Sequence, residues 1–145
     1  MVIQRIQTLY LLLVAVLMGI FAFLPVIGTN VNGNNLAIGA IATCGVTHPS
    51  WLLLTLDALI VVLAVIAIFK YKDLKGQLRL VGIVLLMVVL LLVCIAVLFI
   101  GQRGQCIAEL QWSIALPCVA LVFAILARKG IKHDRKLLSD SERIR

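Results

Sequence analysis

Long apolar runs alternate with short polar segments along this chain: 7–27, 51–69, 78–100 and 110–127 are almost free of charge. Each is close to the roughly 20 residues that a helix needs to cross the hydrocarbon of a bilayer. The pattern predicts an all-α, four-helix transmembrane bundle. Asp57 is the only ionised side chain well inside any run. The connections are the outer loop 28–50, the short loop 70–77, a third loop near 101–109 and the tail 128–145.

The connections carry their own signals. Loop 28–50 contains no Lys, Arg, Asp or Glu, and Asn32-Gly33 suits a two-residue hairpin turn because both positions tolerate positive φ. Val26-Ile27 and Leu36-Ala37-Ile38 would pair as short strands, giving a small β-hairpin cap, with Ile38, Ile41 and Val46 resting on the bundle mouth or the lipid interface. Loop 70–77 is short enough to force spans two and three into an antiparallel pair, with Gly76 available for a helix end. Pro117 falls inside the fourth run and predicts a kink there. Ala15 and Gly19 in the first run, and Ala120, Ala124 and Ala127 in the fourth, have the small-residue spacing of close helix packing. The tail is expected to be helical, as a solvated extension of span four, as an interfacial segment on the inner leaflet, or docked on a partner. Ser139-Asp140-Ser141-Glu142 fits a capping box that would start a second short turn.

Composition closes off the soluble alternative. Hydrophobic residues make up 63% and charged residues 13% of the 145 positions, against about 45–50% and 25% in a soluble domain. The first run is longer than a signal-peptide core and no small-residue cleavage site follows it, so it reads as an uncleaved span. The net charge of +7 is explained by location. Of 13 Lys and Arg residues, 12 lie in the N-terminus, the second loop and the tail; only Arg103 lies on the other side. The positive-inside rule then places both termini and loop 70–77 in the cytoplasm. The basic charge would serve orientation and attraction to anionic lipid, not nucleic acid.

Few residues offer chemistry. Asp57 stands six residues past Trp51, about 9 Å along the helix from the outer interface. An Asp at mid-span costs about 2.5–3.5 kcal/mol, and the thirteen Leu, Ile, Val and Phe residues of its run return roughly 4–8 kcal/mol, so the span still inserts. Inside the bundle Asp57 needs partners, and Thr55, Gln111, Ser113 and Arg103 are the candidates. It reads either as an interhelical latch or as a protonatable site. Cys44 and Cys106 fall in the two outer loops, where an oxidising compartment would allow a bridge. Cys94 and Cys118 lie inside runs as small packing residues. His48 and His133 are on opposite sides and share no metal. No phosphate loop, nucleophile elbow, metal-binding HExxH or C-x-x-C pair is present. No enzyme activity, cofactor or metal is expected.

The two ends carry a resemblance. Met1-Val2-Ile3-Gln4-Arg5-Ile6-Gln7-Thr8-Leu9-Tyr10-Leu11-Leu12 resembles the opening of a bacterial membrane family, the domain of unknown function 4293. Leu126-Ala127-Arg128-Lys129-Gly130-Ile131-Lys132-His133-Asp134-Arg135-Lys136-Leu137-Leu138, with the closing Ser141-Glu142-Arg143-Ile144-Arg145, resembles that family's tail. The resemblance implies a four-span protein of the bacterial inner membrane and brings no activity with it. It directs attention to Gln4, Arg5, Gln7, Asp134 and Arg143 as a cytoplasmic partner surface, with Arg5 pairing Asp134 or Asp140. The expected role is an accessory or interaction subunit of a membrane assembly, partnered by lipid and by another protein or a second copy. The alternatives are a binder of a small apolar or protonatable ligand at Asp57, with a polar cavity between spans two and four, and outer-face thiol chemistry at Cys44 and Cys106.

Overall fold

A computed structural model of the chain describes residues 2–31, 34–39, 48–49, 51–70, 72–103, 107–110 and 112–144, with side chains described for 5–28, 51–70, 72–101 and 112–144. Four helices account for the apolar runs: α1 (Val2–Phe21), α2 (Trp51–Phe69), α3 (Leu74–Arg103) and α4 (Ala115–Arg143). Three segments, Trp51–Phe69, Leu74–Gly101 and Trp112–Arg143, are long and apolar enough to cross a membrane; Arg5–Phe21 is a shorter apolar helix. Each helix packs on two others, α1 on α2 and α4, and α3 on α2 and α4. That is the cyclic arrangement of a four-helix bundle, with α2 and α4 on the diagonal.

One spacing governs all four interfaces. The buried positions are Gln7, Leu11, Val14, Met18 and Phe21 on α1, and Leu53, Asp57, Ile60, Ala64 and Ala67 on α2. On α3 they are Gln77, Val81, Val84, Val88, Leu91 and Ile95; on α4, Pro117, Ala120, Ala124, Ala127, Ile131 and Asp134. Steps of three and four alternate throughout. This is the heptad seam of helices crossing at about 20°. On α4 three of the six seam residues are alanine, so small side chains face the larger Leu11, Met18 and Phe21 of α1. Tyr10 of α1 stacks on Phe123 of α4, with ring centroids 6.0 Å apart and planes at 25°.

The element ends differ from the sequence expectation. The first run is not one helix to Ile27: α1 starts earlier and stops at Phe21, and Pro25 opens a strand. Proline fixes φ and offers no N–H, so it suits a strand start better than a helix. The hairpin cap is present. β1 (Pro25–Val31) and β2 (Asn34–Gly39) run antiparallel with Ile27 opposite Ile38 and Val31 opposite Asn34. Its extent was larger than expected, because β3 (His48–Pro49) and β4 (Ile107–Leu110) complete a four-stranded sheet of order β3-β2-β1-β4. Leu110, expected at the start of span four, therefore belongs to the sheet, as does Glu109. Val26 and Ile27 are fully buried against the bundle core; the side chains of Ile38, Ile41 and Val46 lie outside the described ones.

Three more expectations are corrected. Pro117 is the third residue of α4, after a 3-10 turn at Trp112–Ile114. First-turn N–H groups have no intrahelical acceptor, so proline breaks nothing and makes no mid-span kink. Gly76 lies in the first turn of α3, not at the end of α2, and Asp73 Oδ2 fills the space a Cβ there would need. In the tail α4 runs unbroken through Ser139–Glu142, so the expected capping box starts no new helix.

Candidate functional site

The heptad seams carry four polar residues at two levels. Near the end of the bundle where the α2–α3 turn lies, Gln7, Gln77 and Asp134 are buried on α1, α3 and α4. They sit one step below a small apolar cluster of Leu11, Ala67, Val81, Ala127 and Ile131. Gln7 Nε2 donates to Asp134 Oδ2 at 2.5 Å across the α1–α4 interface. A hydrogen bond between two buried polar side chains satisfies both and ties the two helices together. Gly130 faces this bond. A Cβ at position 130 would stand 3.1 Å from Gln7 Cγ and 3.2 Å from Gln7 Nε2, so a larger residue there would make the Gln7 side chain give by a few tenths of an ångström beside its bond to Asp134, one turn on.

Asp134 is thus no surface residue. Its bond goes to Gln7, and the surface pair expected between Arg5 and Asp134 is replaced by this buried one; Arg5 and Arg143 are exposed. The side chain of Gln4 is outside the described ones. Gln77 was not singled out from the sequence. Its signal is the seam itself, since it stands four residues before Val81 in the same three-four pattern.

The second level is Asp57, 2% exposed between Leu53 and Ile60. Among the described residues its Oδ1 has no hydrogen-bond partner. Two of the expected partners are engaged elsewhere. Thr55 Oγ1 is exposed and donates to the Leu52 carbonyl at 3.0 Å. Ser113 Oγ donates to the Pro25 carbonyl, tying the start of α4 to the start of β1. The side chains of Gln111 and Arg103 lie outside the described ones. At the standard rise Arg103 stands about 25 Å farther along the bundle from the α2–α3 turn than Asp57, beyond any side chain's reach.

Cys44 and Cys106, the expected bridge, lie outside the described residues. Cys94 is half-buried and Cys118 is exposed on the outer face of α4, so only the first fills the packing role expected of both. Ala120, Ala124 and Ala127 are fully buried as intramolecular packing requires, whereas Ala15 and Gly19 are half-exposed, and a Cβ on Gly19 would meet nothing within 4 Å. Among the described residues no three His, Cys, Asp or Glu side chains gather as metal donors.

The outer surface is apolar as well as the seam. Leu9, Leu12, Val16 and Ile20 on α1, Leu59 and Val62 on α2, Leu86, Val93 and Val97 on α3, and Val119 and Val122 on α4 are all exposed. Trp51 and Trp112 are 74% and 93% exposed where α2 and α4 begin, the place of interfacial anchors. A bundle apolar on its inner seams and on its outer surface is compatible with a membrane protein. The chain belongs to the family described as Domain of unknown function (DUF4293), whose pattern it matches over residues 3–144. No curated protein and no solved structure gives a significant match.

Proposed function

We propose that the chain is a four-span accessory protein of the bacterial inner membrane, without enzymatic activity, that presents a rigid basic helix to a protein partner in the cytoplasm. The observation that carries this reading is the continuity of α4 from Ala115 to Arg143. The helix leaves the apolar seam at Ile131 and is fixed to α1 by Gln7 and Asp134. Beyond that point Lys132, Arg135 and Lys136 and the half-exposed Leu137 and Leu138 project from it. Basic charge beside exposed leucines is the surface of a helix that docks on a partner. The apolar outer face of α1 supports counting it as a fourth span, and the clustering of Lys and Arg supports placing both termini in the cytoplasm.

The test is crosslinking mass spectrometry in native membranes. Recurrent crosslinks from Lys129, Lys132 and Lys136 to one protein, lost in a Leu137→Asp/Leu138→Asp variant that still extracts as a folded bundle, are expected. A chain that crosslinks only to itself in the wild type would overturn the reading. A second reading is favoured by the unpartnered Oδ1 of Asp57: a binding position for a small protonatable ligand. An Asp57→Asn variant that matches wild type in ligand-dependent thermal stabilisation across a panel of hydrophobic amines removes it.

A further inference from the structure

Between α3 and α4 an open groove of about 800 Å³ runs along the outside of the bundle. Its floor follows α3 from Leu78 past Gly82, Ile83 and Leu86 to Val89, and Arg79 and Arg128 stand at one end. The floor is open at Gly82, where a Cβ would meet nothing within 4 Å. From Leu78 to Val89 the helix rises about 16 Å, and one leaflet of a bilayer is about 15 Å of hydrocarbon. The groove therefore has an acyl chain's length and polarity. Its two arginines sit at the end where the chains meet the headgroup. Arg79 is one turn beyond Lys75 on α3, and Arg128 is one turn before Lys132 on α4, so the cationic end continues into the basic stripe of the tail. An aliphatic slot closed by two guanidinium groups matches a phosphodiester carrying a fatty chain, because arginine binds phosphate through paired donors.

We infer that this groove is a binding site for one anionic phospholipid, its phosphate held by Arg79 and Arg128 and one acyl chain laid over Gly82. The inference goes beyond the proposed function and needs no protein partner, only that the bundle sits in a bilayer. If the partner surface fails its test, this site stands or falls separately.

Native mass spectrometry of the detergent-purified chain, titrated with palmitoyl-oleoyl phosphatidylglycerol or phosphatidylcholine, tests it. Phosphatidylglycerol is expected to bind at least about ten-fold more tightly than phosphatidylcholine, with each arginine contributing about five-fold. Arg79→Ala/Arg128→Ala should abolish the preference, and Gly82→Trp should weaken phosphatidylglycerol binding with both arginines intact. Lys132→Ala/Lys136→Ala should leave the preference unchanged. Glycerol 3-phosphate, a headgroup without chains, should not displace the lipid. Equal binding of the two lipids, or an equal loss on removing the tail lysines, would overturn the inference. So would an unaffected Gly82→Trp or full displacement by the headgroup. The arginines are exposed and Gly82 has open space, so the variants should fold; if the double arginine variant does not, Gly82→Trp and the competition decide.

Discussion

At the scale of the residue, the α1–α4 tie is a three-body arrangement in which Gly130, Gln7 and Asp134 depend on one another. Alanine is better than glycine in a helix by about 1 kcal/mol, yet Gly130→Ala would press on a buried amide held by a carboxylate. Gly130→Ala is therefore expected to lower the thermal midpoint of the detergent-solubilised bundle. In a Gln7→Ala background the contacts at Cγ, Cδ and Nε2 are gone, and the same substitution should raise it by the propensity difference. A double-mutant cycle that shows additivity would contradict the geometry. Asp57 behaves differently, because its Oδ1 meets no donor among the described residues. Replacing an unsatisfied buried polar group by an apolar one removes a desolvation penalty of about 1–3 kcal/mol. Asp57→Leu should stabilise the bundle in a thermal melt; a lowered midpoint would mean that Asp57 holds a partner. Asp57 was legible in the sequence because one acid in an apolar run stands out, and so was the interest in Gln7 and Asp134. Their mutual bond was not, because 127 residues separate them and no local pattern encodes which helices are neighbours.

Element positions were readable where hydrophobicity changes abruptly and unreadable where it does not. The turn between α2 and α3 lies where Lys70, Lys72 and Asp73 interrupt the apolar run. The end of α1 at Phe21 and the strand β4 are not legible in the sequence, because Val26, Ile27, Ile107 and Leu110 are as apolar as the helices they adjoin; a strand that seals a bundle mouth needs the same residues as a span. Heptad faces were hidden for the same reason, with lipid-facing and core-facing positions equally greasy. Only Gln7, Asp57, Gln77 and Asp134, all at seam positions, reveal them. The tail helix gives an element-scale prediction. Lys136→Pro would clash with the Lys132 carbonyl and break α4 beyond Asp134, costing about 3 kcal/mol locally, while the seam residues keep their contacts. Partner crosslinks from Lys129 should then be lost with the thermal midpoint of the bundle unchanged. Loss of both together would show that the projecting segment is needed for the bundle itself.

Across the whole molecule the sheet gathers segments distant in sequence. Asn34–Gly39 and His48–Pro49 flank Cys44, Ile107–Leu110 follows Cys106, and all three strands share one sheet. A bridge between these cysteines should give the non-reduced intact chain a mass lower by two hydrogens, recovered on reduction. Two freely alkylated thiols in chain isolated from an oxidising compartment would remove it. The same sheet bears on how the protein is made. β1 leaves the ribosome early, but its neighbour β4 is synthesised only after α3, and Ser113, which caps the Pro25 carbonyl, comes later still. The most extensive partner of α1 is α4, the last helix to emerge. Until α4 emerges Gln7 has no Asp134, and until β4 emerges β1 has an open edge. The closed α1–α4 seam is therefore a sign that the last helix has been made, and a ribosome-bound chain halted before α4 would leave Gln7 and the buried face of α1 uncovered, exposed to whatever factors survey unfinished chains.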